Sequence, residues 1–379
     1  MTQHGPSWIT VSESALRGNL SFFQTRAGNT DVYPVVKSNA YGHGMNLTAR
    51  ILEDMADGFC VHAVDEALRL ETGKPVLVLG HVPDDVETLS RVMTMHDVRL
   101  TISDPGQLPA LESAARNSGR KPRLYIKLET GTHRLGLPPE EARQLVDRIR
   151  RSADLQLAGI STHFANIEDT TDHSFARKQL NALLAFRNEI DDHGSLELHA
   201  ACSAAALLFD NTHLDLIRLG ISLYGYYSSR ETLVSYRQIE PEPGNGLKPV
   251  LAWQTRPIQI KSVNAGEYVG YGLTYRAPRD MRIAVLPVGY ADGYDRSIAP
   301  AGHVLVHGQR APIRGRICMN MFMVEISDIP NVNRRDVFTL IGRDGDETIT
   351  AETIAGWAST IHYEVLARIS PDIPRLPVP

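Results

Sequence analysis

The chain has 379 residues, enough for two or three domains, and 42% of them are apolar, enough for a large core. Its 44 acidic and 39 basic residues leave a formal net charge of −5, which gives no electrostatic footing for nucleic acid or a membrane surface. Three widely spaced cysteines, no leader peptide, no apolar run of about 18 residues and no His-Glu-x-x-His or paired-cysteine pattern argue against secretion, a membrane span, a disulfide framework and a metal centre, and for the cytoplasm.

Up to about residue 230, short apolar stretches alternate with helical patterns. Strands are expected at 32–37, 58–63, 75–79, 98–103, 123–129, 157–163, 196–200 and 214–219. Between the fifth and sixth, Ala142, Leu145, Val146 and Ile149 form one apolar helical face, and Leu180, Leu183 and Leu184 mark a helix further on. Eight strands separated by helices predict a (β/α)8 barrel over residues 1–235. A doubly wound open sheet is the alternative, but no Gly-x-Gly-x-x-Gly follows the first strand. Residues 241–249, rich in proline and glycine, read as a linker. Beyond it, strand-like segments at 253–263, 268–275, 282–290, 303–307, 311–318, 322–326 and 336–341 predict a mainly antiparallel β domain over 236–379. One late helix is expected there, capped by Thr350, with Ile354, Trp357, Ala358 and Ile361 on its apolar face.

Chemistry concentrates at the predicted C-terminal strand tips, where barrel active sites form. The first strand ends at Lys37, a costly place for an ammonium, and desolvation lowers a lysine's pKa toward Schiff-base chemistry. The fifth offers Lys127 with Arg134 shortly after, the sixth His163, and the eighth Arg218 followed by Gly220 and Ile221; Ser203 follows the seventh. Each has a structural alternative: a snorkelling lysine, a hydrogen-bonded histidine, an arginine paired with an acid. Taken together, cations and hydroxyls with almost no acids describe an anion site, with phosphate the natural candidate; Ser203 and the Gly220 and Ile221 amides suit it.

Residues 35–44 (Val-Val-Lys-Ser-Asn-Ala-Tyr-Gly-His-Gly) resemble the pyridoxal-phosphate lysine motif of the alanine racemase family. The similarity continues in the family's order through Glu129-Thr-Gly-Thr-His-Arg-Leu-Gly136, Thr162-His-Phe-Ala165, the segment 217–225, Val269-Gly-Tyr-Gly272, Pro287-Val-Gly-Tyr-Ala-Asp-Gly-Tyr294, Gly315-Arg-Ile-Cys-Met-Asn320 and Tyr363-Glu-Val-Leu366. The resemblance implies a barrel plus a β domain, a head-to-tail homodimer with shared active sites, and a two-base racemase of L- and D-alanine that uses pyridoxal 5'-phosphate. By position, Lys37 would bond to the cofactor and serve the D face, and Tyr271 would serve the L face from the partner subunit. His163 and Arg218 would support Tyr271. Tyr41, Ser203, Gly220, Ile221 and Tyr363 would surround the phosphate, Arg218 would face the ring nitrogen and Arg134 the phenolic oxygen. Lys127 matches a position often carbamylated. Tyr290, Met319 and Asn320, with Arg134, would lie near the substrate carboxylate and its access path.

Asn320 stands where aspartate is common, and His133 where glycine is frequent; both features are similar to a serine/alanine racemase branch. Asn320 adds an amide donor that suits a serine hydroxyl, or it is a neutral replacement in an alanine enzyme. A decarboxylase of the same architecture and a non-catalytic cofactor-binding barrel are the alternatives. The always-charged Arg218 counts against the first and the β domain with Tyr271 against the second.

Overall fold

The computed structural model describes residues 5–191, 195–241 and 246–379; residues 242–245 of the expected linker lie outside the described residues. The chain forms two compact units, one of Ser14–Ser38 and Thr48–Pro249, the other of Met1–Glu13, Asn39–Leu47 and Val250–Pro379. A single cut at 235 does not separate them, because the chain changes unit directly after Ser38, one residue past Lys37.

The first unit is a parallel barrel. Its strands are β1 (Asp31–Pro34), β2 (Phe59–Ala63), β3 (Val76–His81), β4 (Val98–Ile102), β5 (Arg123–Lys127), β6 (Gln156–Ser161), β7 (Glu197–His199) and β8 (Leu216–Leu219). Strands β2 to β7 pair in sequence order and β1 pairs β8. A parallel bridge from Val35 to Cys60 joins β1 to β2, and the Arg218 N–H donates to the Ala201 carbonyl at 3.1 Å, joining β8 to the end of β7. Val76, Leu77 and Val78 of β3 and Leu124, Tyr125 and Ile126 of β5 are wholly buried, as strands covered on both faces require. Helix α1 (Pro139–Arg151) buries Ala142, Leu145, Val146 and Ile149, the face expected from their spacing. It carries glutamates in its first turn and arginines in its last, each matching the helix dipole.

The second unit is built on a ten-stranded, mainly antiparallel sheet. Its least legible part is the strand Ser7–Ser12, which pairs antiparallel with Leu251–Thr255 and parallel with the C-terminal strand Arg375–Val378. The expected strand 253–263 is two, Leu251–Thr255 and Gln259–Val263, parted near Pro257, which has no N–H for a ladder. The expected strand 268–275 is a hairpin: Tyr268–Val269 pairs with Tyr275–Arg276 around a turn at Tyr271–Leu273. Gly270 and Gly272 make that turn with φ of +75° and +74°. The single late helix is also two, Ala351–Ala358 and His362–Ala367. Thr350 caps the first, accepting from the Thr353 N–H at 3.1 Å. Ser359 ends it at φ +55°, and Ile361, assigned to its apolar face, is 60% exposed. No helix among the described residues is long and apolar enough to cross a membrane.

The segment after β1 carries the most unusual backbone. Ser38, Asn39, Ala40 and Tyr41 all have φ between +51° and +55°, a left-handed turn of non-glycine residues that costs about 1–2 kcal/mol per residue. Its far end is fastened within the second unit. The Gly44 N–H donates to the Asn39 carbonyl at 2.9 Å and the Met45 N–H to Asn39 Oδ1 at 3.0 Å. The Arg375 guanidinium donates to the Gly42 carbonyl at 2.9 and 3.1 Å. Gly42 has φ +84°, and a Cβ there would collide with the Leu366 carbonyl.

Candidate active site

Every barrel strand, or the loop following it, supplies a wall of one cavity of about 400 Å3. Lys37 comes from the end of β1, His62 from β2, Gly80 from β3, Thr101 from β4, Lys127 from β5 and Ser161 from β6; Arg134 and His163 come from loops, His199 from β7 and Arg218 from β8. Five residues singled out from separate stretches of sequence thus meet: Lys37, Lys127, Arg134, His163 and Arg218. No carboxylate lines this cavity among the described residues.

The electrostatics follow from burial among cations. Burial, then the Arg134 charge, pulls the Lys37 amine below the usual lysine range. Burial with Arg218 and Arg134 pushes Lys127 down further. Burial and Arg218 hold His163 and His199 well below the usual imidazole range, so both rings are neutral near pH 7.

Arg218 is 5% exposed, and its hydrogen-bond acceptors are all neutral. It donates to His199 Nδ1, to the Ala200 carbonyl at 2.8 Å, to the Thr162 carbonyl at 3.0 Å and to His163 Nδ1 at 3.3 Å. A guanidinium has no acceptor, so both imidazoles take these bonds on Nδ1 and carry their proton on Nε2. The Arg218 Nε–H has no acceptor among the described residues.

The loops around the cavity are held by side chains to which motif reading gave no role. Glu129 accepts from the N–H groups of Gly131, Thr132 (2.7 Å) and His133 (2.8 Å), shaping the loop that carries Arg134. The fully buried Gln179 donates to Thr130 Oγ1 at 3.0 Å and the His163 carbonyl at 3.2 Å, and accepts from the Ala165 N–H at 2.9 Å. It fixes the His163 loop from a helix that had shown only its leucines. His199 was legible only as a polar residue in a strand.

Ser203 and Gly220 are brought together, though not as two independent donors. The Gly220 N–H donates to Ser203 Oγ at 3.0 Å and the Ser222 N–H reaches the same oxygen at 3.3 Å. The oxygen's acceptor positions are therefore used, which leaves the serine O–H to donate elsewhere. Ile221 is buried beside them in sequence.

The remaining candidates belong to the second unit. The Tyr41 and Tyr363 rings lie 6.2 Å apart. Tyr271 is 69% exposed, Tyr290 42% and Met319 56%, and Asn320 is exposed beside Met319. The Tyr290 N–H donates to the Cys318 carbonyl at 3.1 Å and the Ala291 N–H to the Met319 carbonyl at 2.9 Å, which joins those two loops.

Residues 11–228 match the family described as alanine racemase, N-terminal domain, and residues 250–377 the alanine racemase C-terminal domain. An alanine racemase of Leptospira interrogans is 35% identical over 379 residues, covering 98% of this chain and 96% of that one. One from Methanococcus maripaludis is 34% identical over 385 residues, covering 99% of each chain. Among solved structures, an alanine racemase from Clostridium difficile 630 has a TM-score of 0.90 at 30% identity, over 98% of this chain and 96% of that one. The alanine racemase of Bacillus anthracis with bound L-Ala-P has a TM-score of 0.88 at 31% identity, over 99% and 95%.

Proposed function

We propose a two-base mechanism for this chain, which belongs to the alanine racemase family and interconverts L- and D-alanine. The carrying observation is the cavity in which Lys37, its amine held below the usual range, stands with Lys127, Arg134 and Arg218 and no carboxylate. That donor set fits an anionic aldehyde, pyridoxal 5'-phosphate. Lys37 would be the residue that bonds to its carbonyl carbon. The Ser203 hydroxyl, oriented by the Gly220 N–H that it accepts, would hold the phosphate with the Ile221 amide, Tyr41 and Tyr363, and Arg134 would take the phenolic oxygen. The Arg218 Nε–H, without an acceptor among the described residues, suits the ring nitrogen. When bound, the cofactor stabilises the electron pair left when a substrate loses its α-hydrogen. Arg218 cannot surrender a proton, so as the donor to the ring nitrogen it would keep that stabilisation partial. Partial stabilisation favours prompt return of the proton over side reactions.

Racemisation takes a proton from one face of the α-carbon and returns one to the other, so two groups must stand on opposite faces. Lys37 would hold the proton on the D face. Tyr271 of a second copy holds it on the L face. A phenol serves as a base only when its anion is stabilised, and the His163 Nε2–H, fixed by the bond between Nδ1 and Arg218, is a donor for that oxygen. Exposed Tyr271, Tyr290 and Met319 support a homodimer in which each copy completes the other's site. Tyr290, Met319 and Asn320, with Arg134, attend the substrate carboxylate. Lys127 is carbamylated in this reading: its neutral amine is the form that adds carbon dioxide, and the anion formed meets Arg134 and Arg218 in the same cavity. Free cysteines at 60, 202 and 318 agree with the cytoplasm.

Borohydride reduction of the purified protein tests the cofactor assignment. One pyridoxyl label per chain is expected, on the peptide that contains Lys37; a label elsewhere overturns the assignment. Serine is a second substrate in this reading, because Asn320 supplies an amide donor. N320D is expected to lower the serine-to-alanine ratio of kcat/KM about tenfold, the worth of one hydrogen bond. An unchanged ratio removes Asn320 as the determinant.

A further inference from the structure

We propose that Glu66 is a positioning residue for Lys37: its carboxylate pins the peptide immediately after Lys37 to the end of β2 and keeps a negative charge near the amine. Because Glu66 acts through Lys37, this rests on Lys37 as the lysine that bonds to the cofactor.

Glu66 lies in the short helix Val64–Ala67, directly after β2. Its two oxygens serve two backbone amides. Oε1 accepts from the Ser38 N–H at 2.7 Å, and Oε2 accepts from the His62 N–H at 2.7 Å. Ser38 follows Lys37 and opens the left-handed turn, four consecutive residues in a conformation that L-amino acids disfavour. Such a conformation persists only where its surroundings over-determine it. The bonds of Asn39, Gly42 and Gly44 fix the far end of the turn, and the Glu66–Ser38 bond is the one at its near end, one peptide from Lys37. Without it, the start of the turn is free to relax toward the right-handed region, which re-aims the Lys37 side chain. A lysine that must reach the cofactor's carbonyl carbon and then one face of the α-carbon tolerates little displacement, since about 1 Å of misplacement costs on the order of a hundredfold in rate.

The same carboxylate bears on the amine's charge. Burial, then Arg134 and Arg218, disfavour the ammonium form of Lys37, while Glu66 and Cys60 favour it. His62, from the end of β2, and Lys127, from β5, line the cavity with Lys37, as does His163, whose ring is neutral. Cys60 is buried, and burial pushes its thiol up to about 12, so it is uncharged near pH 7. Glu66 is then the one anion among these groups. It keeps the amine able to hold a proton against burial and the two arginines, and holding a proton is what the D-face role demands.

Two variants separate the clamp from the charge. E66Q keeps the size of the side chain, removes the charge and turns an N–H2 toward one backbone amide. E66D keeps the charge but is too short to serve both amides. In cofactor-free protein, the modification of Lys37 by an amine-selective reagent is followed against pH by mass spectrometry. Loss of the anion disfavours the ammonium form, so the E66Q profile is expected to move to lower pH, with labelling at neutral pH about threefold to tenfold faster. The E66D profile stays near that of the unmodified protein. In the holoenzyme, kcat is expected to fall about tenfold or more in both variants, with KM for alanine changed less than about threefold. An E66Q labelling profile that does not move overturns the charge role, and a kcat within twofold in E66D overturns the clamp. Borohydride labelling keeps the premise separate: a label on a residue other than Lys37 defeats the assignment of that lysine, whereas the cofactor-free profiles report on Glu66 regardless.

Discussion

Replacing Lys37 with alanine is expected to lower kcat/KM for alanine by more than about 10^4-fold in both directions and to abolish the visible absorbance of bound cofactor. Both losses follow from one side chain with two tasks. Lys37 is the cavity amine at the end of β1, and its depressed pKa means that a larger share of it is the free base that attacks a carbonyl than in a lysine in water. The same nitrogen then carries the proton on one face of the substrate. Lys127 lines the same cavity but cannot stand in, because it projects from β5 rather than from the end of β1 and its amine is taken up as the carbamate in this reading. Absorbance spectra and steady-state rates of K37A check both losses; a variant that keeps the band has its cofactor bonded elsewhere.

Tyr271→Phe is expected to cost about 10^2 to 10^4 in kcat/KM, the usual worth of one positioned acid or base, while cofactor binding is retained. The loss must be equal for the two enantiomers, because their equilibrium constant is one. Tyr271 is 69% exposed on a turn made by Gly270 and Gly272, so losing its hydroxyl leaves no cavity and the fold stays intact. The expected partner is the Nε2–H of His163, a ring kept neutral by burial and by Arg218 and held in its tautomer from behind by Arg218. H163A should therefore reproduce part of the Y271F loss without affecting the borohydride label.

The barrel was largely legible because each parallel strand is a short apolar run ended by a polar tip, and that pattern is local. The β domain was less so. The strand Ser7–Ser12 joins partners at least 240 residues away, a pairing that no local signal announces. Arg134, His163 and Arg218 could be named from motifs, yet what holds them could not. Glu129 works through backbone amides, Gln179 through a carbonyl and a hydroxyl, and His199 through a single ring nitrogen. Such roles depend on where a side chain ends, not on which residue precedes it. The left-handed turn after Lys37 was hidden for a related reason. Only Gly42 and Gly44 hinted at positive φ, while Ser38, Asn39, Ala40 and Tyr41 adopt it because Glu66 and Arg375 hold the segment's two ends.

The opposed roles of Lys37 and Tyr271 are tested most directly by α-proton exchange in deuterium oxide with Y271F. D-alanine, served by Lys37, is predicted to take up deuterium at its α-carbon with retained configuration, at a rate well above its racemisation. L-alanine, served only by the missing phenol, is predicted to exchange no faster than it racemises. Equal exchange of the two enantiomers, or faster exchange of L-alanine, would contradict the two-base account.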